Sequence, residues 1–177
     1  ESPPGSGADP RRRIFFPHAL AQRSTQWERG DEPMTQLSFT DDYDAYGQAQ
    51  RNVSLAVSRG RDYRVAAPAG APYLGTIAQT RYAGRDDAER YMVTRVSGSE
   101  SREIINDGSQ TVFDLCRDAR AGKAERKLFA QSFNYYDGEA FVGLPFGQIG
   151  DFGSLVRTAT LVLTEDLLRD ALVDPAN

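Results

Sequence analysis

Between Met34 and Val57 the chain alternates apolar and polar residues on both sides of one short sequence, Asp-Ala-Tyr-Gly. Before it, Leu37 and Phe39 alternate with Gln36, Ser38 and Thr40; after it, Val53, Leu55 and Val57 alternate with Asn52, Ser54 and Ser58. Successive side chains of a strand point to opposite faces, so this spacing predicts two half-buried strands and excludes an amphipathic helix here. Asp44 at the first and Gly47 at the fourth position suit a type I turn, with Gly47 free to take positive φ. An antiparallel hairpin is therefore fixed near the start of the chain, and the rest of the fold must continue from it.

The remaining segments extend the same pattern. "RIFFPHALAQRSTQWERG" reads as two short strands about Pro17, anchored by Phe15, Phe16 and Trp27. Residues 58–75 are rich in Gly, Pro and Ala and read as an irregular loop. "GTIAQTRYA" and "ERYMVTRVSGSESREII" are strand segments, the second bending at Gly98. "TVFDLCRDARAG" breaks the alternation: Thr111 and Asp114 resemble a capping box, Val112, Leu115, Cys116 and Ala119 share one helical face, and Gly122 stops the helix. "ERKLFAQSFNYYDG" returns to strand, with Phe129, Phe133 and Tyr135 expected on one face. A glycine-spaced loop "GLPFGQIGDFG", a strand "SLVRTATLVLT" and a short helix opened by Thr164, Glu165 and Asp166 complete the chain. The fold class is mainly β, antiparallel hairpins with one or two short helices. Residues 1–10, rich in Pro, Gly and Ser, read as a flexible linker, and 11–177 as a single β-rich domain or a slice of something larger.

Chemistry is sparse. The net charge of -4 and the pI near 5.1 give no electrostatic reason to expect nucleic acid or an anionic membrane, and Arg11–Arg13 reads as a solvated start of a strand. No stretch approaches the roughly 20 apolar residues of a spanning helix. One cysteine forbids an internal disulfide, and one cysteine with one histidine makes a zinc site improbable. His18 has no G-x-S-x-G elbow beside it, and Cys116 lies on an apolar helical face where inert thiols are usual. In "DDYDAYG", Asp42, Asp44 and Gly47 match a calcium loop, but Tyr46 and Val53 stand where oxygen ligands belong. The glycines of "GLPFGQIGDFG" lack the dinucleotide-binding spacing. Asp86 and Asp87 read as loop charges, Asn52-Val53-Ser54 is a glycosylation sequon inside a strand, and Arg29-Gly30-Asp31 is a receptor-type tripeptide of common occurrence. No catalytic residue, metal ligand or cofactor is expected. The missing initiator Met and the absence of a signal peptide pattern read as an excised or processed fragment, with any targeting signal elsewhere.

Two motifs carry a resemblance. Tyr43-Asp44-Ala45-Tyr46-Gly47 resembles the Y-D-x-x-G core of YD repeats, the tiles of Rhs-type and teneurin β-shells, and Tyr135-Tyr136-Asp137-Gly138 resembles a degenerate second copy. The order of "RIFFPHA", "TQWERGDEPMTQLSFTDDYDAYGQAQRNVSLAV", "NYYDGEAFVGLPFGQIGDFGSLV" and "ATLVLTEDLL" is similar to the B component of bacterial insecticidal toxin complexes, near the end of its shell-forming half. The chain departs from that pattern at Gln48, where Asn is frequent, and at Ser58-Arg59-Gly60-Arg61. The resemblance implies a non-catalytic segment of a hollow β-shell, with Tyr43, Asp44, Gly47, Tyr136, Asp137 and Gly138 as turn-forming residues. It also implies partners through a larger, secreted or surface-associated bacterial parent: a C component with its encapsulated cytotoxic effector, and a pore-forming A component. No nucleic acid or membrane contact by this segment is expected. The alternative is a free-standing extracellular binding or adhesion module whose Tyr43, Tyr46, Tyr63, Tyr73 and Tyr82 line a groove; a third reading is an enzyme using Cys116 and His18.

Overall fold

The computed structural model describes residues 16–28, 30–165 and 168–169. The expected linker over 1–10, the Arg11–Arg13 run, Phe15, Arg29 of the Arg-Gly-Asp tripeptide and most of the terminal helix lie outside the described residues. Of that helix, Glu165, Leu168 and Arg169 are described, with the Leu168 N–H donating to the Thr164 carbonyl at 3.0 Å.

Strands β1 (Ala21–Gln26), β2 (Met34–Tyr43), β3 (Ala49–Val57), β4 (Leu74–Asp86) and β5 (Tyr91–Ile104) precede helix α1 (Val112–Arg120), and β6 (Arg126–Tyr136) and β7 (Leu155–Thr160) follow it. All seven strands form one antiparallel sheet in strict chain order, β1 to β7, so each strand pairs with its sequence neighbours. The fold is mainly β with a single short helix between the strands.

The core follows from the alternation. Leu37, Phe39, Val53, Leu55, Val57, Ile77 and Ile104 point to one face of the sheet, where α1 covers them with Val112, Leu115, Cys116 and Ala119. Each fully buried aliphatic side chain there contributes about 1.5–3 kcal/mol relative to exposure. The helix is fixed at both ends. Thr111 is the N-cap, its hydroxyl accepting the Asp114 N–H at 3.1 Å, and Gly122 leaves the helix at a φ of 73°. The loop before β4 is held to the loop before α1 by Arg61, which donates to the carbonyls of Ala71, Gly108 and Gln110 and stacks over Tyr73.

Three expectations change. Of the two strands expected about Pro17, the described residues hold one, β1, and neither Phe16 nor Trp27 anchors the core; Trp27 is 67% exposed in the β1–β2 connection. Phe129 does not share a face with Phe133 and Tyr135. The register slips between Ser101 and Arg102, whose partners are Ala130 and Leu128, so Phe129 is an extra residue in a bulge and turns to the opposite face. The bend in β5 is likewise a bulge: Arg81 pairs with Gly98 and Tyr82 with Val96, leaving Ser97 unpaired in the ladder.

Candidate functional site

The two tyrosine-aspartate motifs lie at the same end of the sheet, opposite to α1, but their geometries differ. In the first, the Gly47 N–H donates to the Asp44 carbonyl at 3.0 Å and the Asp44 N–H to the Gln48 carbonyl at 3.1 Å, closing the β2–β3 hairpin. The Asp44 carboxylate braces the turn: Oδ1 accepts the N–H groups of Tyr46 and Gln48, and Oδ2 accepts the Gln48 side-chain amide, each at 2.9 Å. That amide also donates to the Val93 carbonyl at 2.9 Å, tying the hairpin to β5. Gly47 has φ of 77° and packs against the Phe16 ring so closely that a Cβ would overlap it. Tyr43 donates its hydroxyl to the Ala19 carbonyl at 2.8 Å and meets the His18 ring at 4.5 Å between centroids.

In the second motif no tight hairpin follows. Asp137 and Gly138 take φ of 46° and 78°, and the chain enters a long loop before β7. The Asp137 carboxylate organises that loop, accepting N–H groups from Gly150 at 2.7 Å, Gly153 at 2.8 Å and Ser154 at 3.0 Å. Burial pushes its pKa up, but these backbone donors outweigh burial and hold the carboxyl below the usual aspartate range. Tyr136 is buried and donates to the Val96 carbonyl at 2.7 Å, beside the Asn134 amide at 2.9 Å; both occupy the carbonyl next to the Ser97 bulge. The glycine-spaced loop thus serves packing: it lays Phe146 on Phe133 and Tyr135, with ring centroids 5.4 and 6.3 Å apart, over Gly98.

The other candidate residues are dispersed. His18 bonds to the Phe16 carbonyl and packs on Phe16 and Tyr43, whereas Cys116 sits in the core cluster under α1. Burial pushes the Cys116 thiol up, the opposite of an activated nucleophile. The five tyrosines proposed to line a groove fall at two ends: Tyr63 and Tyr73 pack with the core near α1, whereas Tyr43 and Tyr46 flank the first turn and Tyr82 donates its hydroxyl to the Ala49 carbonyl beside it at 3.3 Å. Asn52 of the sequon is engaged, its amide donating to Ser38 at 2.9 Å and Thr40 at 3.0 Å. Among the described residues no group of three His, Cys, Asp or Glu side chains is placed to hold a metal ion, and no helix is long and apolar enough to cross a membrane.

What the arrangement does offer is surface. The α1 face carries the charges, among them Asp41, which takes both ends of the Arg51 guanidinium at 2.7 and 3.1 Å and lies 2.9 Å from Arg120. The opposite face is open and nearly uncharged. The register aligns Thr40, Asn52, Ala78, Ser101 and Ala130 in one row across five strands, and Thr80, Ser99, Ser132 and Thr160 in the next. Cross-strand bonds such as Gln36 to Ser54 at 3.0 Å and Ser99 to Ser132 at 2.8 Å stitch it. Single-sequence alternation reveals which residues of each strand are polar; that the neutral ones line up across the whole sheet depends on register. Compared with protein-family models and with curated protein sequences, the chain gives no match.

Proposed function

We propose that this chain is a non-catalytic wall segment of a hollow β-shell, in a larger protein similar to the B component of insecticidal toxin complexes. The observation that carries this reading is architectural. Among the described residues, seven strands run in strict chain order with an unpaired strand at each edge, in one layer that a nine-residue helix covers only in part. A free-standing domain normally buries both faces of such a sheet or protects its edges. A wall built by adding hairpins needs the opposite: edges that accept further strands, and two faces that meet different surroundings. The braced turn at Tyr43, Asp44 and Gly47 suits this role, because it fixes hairpin register without help from a neighbouring layer. On this reading the partners are the encapsulated effector chain and the pore-forming component, both reached through the parent protein.

Electron microscopy of the parent protein, purified with the effector-bearing chain produced alongside it, tests the proposal. A closed hollow particle with this segment in its wall is the expected outcome. A solid or extended particle, with the segment as a separate lobe, would sink it.

A further inference from the structure

The sheet separates charge in the direction opposite to the usual one. An antiparallel sheet packed on one side normally shows charged residues on its free side, where they favour solubility and oppose stacking. Here Arg23, Asp41, Arg51, Glu100, Arg102 and Arg157 project on the α1 face, each register-matched to or alternating with a core position. On the free face between β1 and β7, up to the Ser97 bulge, the charges are Asp42 near the turn end of β2 and the pair Glu103 and Lys127, which are direct cross-strand partners. The rest is hydroxyl, amide and alanine, with Met34, Leu74 and Phe129 as the exposed apolar side chains. Many of its polar groups are already bonded to each other, as Asn52 is to Ser38 and Thr40, and Thr158 to Asn134.

A surface of this kind has little with which to hold a passing polypeptide. It carries few charges for a Coulombic attraction, its exposed apolar side chains are confined to Met34, Leu74 and Phe129, and many of its hydrogen-bonding groups are paired with each other. Left facing bulk water, the same composition is one that favours stacking between sheets, because uncharged amide-bearing and hydroxyl-bearing faces interdigitate. Both properties make sense when the face looks into an enclosed space. Resting on the wall reading above, we propose that the neutral face is the inner surface, turned toward the enclosed polypeptide, and that the α1 face is the outer surface. The inner face then confines its cargo without binding it, so release is not opposed by adhesion to the wall.

The test uses the assembled parent protein in a Cys116→Ala background. Ser24→Cys and Ser99→Cys place thiols at two exposed positions of the neutral face, and Arg117→Cys places one on the outer side of α1. A long poly(ethylene glycol) maleimide, too large to enter a closed shell, is applied before and after disassembly in denaturant. Loss of labelling at Ser24→Cys and Ser99→Cys in the assembled state, with labelling at Arg117→Cys, is expected; all three label after disassembly. Protection of Arg117→Cys alone would overturn the inference and leave the enclosure standing, with the orientation reversed. Protection of all three would also overturn it, because α1 would not face outward. Labelling of all three in the assembled state would overturn both the inference and the wall reading.

Discussion

At the scale of single residues, two turns place their cost on different atoms. Gly47 is held at positive φ against the Phe16 ring, so Gly47→Val combines backbone strain with an overlap. The expected loss is about 2–3 kcal/mol in urea unfolding, with Gly47→Asn costing less because asparagine tolerates the left-handed region. An unaltered unfolding midpoint for the valine variant would remove the turn's importance. Asp137 acts through charge. Asp137→Ala leaves the N–H groups of Gly150, Gly153 and Ser154 without their acceptor, at an expected cost of about 3 kcal/mol near neutral pH. Because the folded-state pKa of Asp137 is lowered, its contribution is present above the unfolded value of about 4 and is lost as pH falls through the folded value. The gap between wild type and variant should therefore begin to narrow as pH falls below about 4 and keep closing as pH falls through the lowered folded-state value, a trend that equilibrium unfolding across pH measures directly.

At the scale of elements, α1 is the one helix placed between strands, and its start depends on one hydroxyl. The Thr111 hydroxyl both accepts the Asp114 N–H at 3.1 Å and donates to the Asp114 carboxylate at 2.7 Å. Thr111→Ala should cost about 1 kcal/mol, whereas Leu115→Ala, which empties the centre of the helix–sheet contact, should cost about 3 kcal/mol. If the two variants unfolded at the same denaturant concentration, the ranking of cap below core would fail. The bulges at Ser97 and Phe129 belong to the same scale, since each re-aims the residues beyond it.

For the described sheet as a whole, the open edges at β1 and β7 dominate. The Leu161 N–H donates to the Gln131 carbonyl at 2.8 Å, and antiparallel ladders alternate, so the N–H groups of Thr158 and Thr160 point away from β6. An unpaired edge of this kind templates further strands. The isolated chain is expected to self-associate with rising concentration in sedimentation velocity. Thr158→Pro removes an outward donor without breaking an inner bond and should weaken that association while leaving the circular dichroism spectrum in place. Equal association by both chains would direct attention to the β1 edge or to the neutral face.

Much of this protein is decided locally. The hairpin over Met34–Val57, the capped helix at Thr111 and its stop at Gly122 follow from φ preferences, side-chain hydrogen bonds of short reach and a two- or 3.6-residue period. The buried set Leu37, Phe39, Val53, Leu55 and Val57 follows from the same period. Other features need the assembled sheet. Phe129 changes face because its strand must match β5 and not because of its neighbours in sequence, and Tyr63 and Tyr73 end far from Tyr43 because a strand's two ends diverge with length. Asp137 finds its donors thirteen or more residues ahead, beyond the reach of any local pattern. The low charge of one face exists only once cross-strand register has brought Ser, Thr, Asn and Gln of separate strands side by side, because each strand by itself specifies alternation and not which neighbour its polar residues will meet.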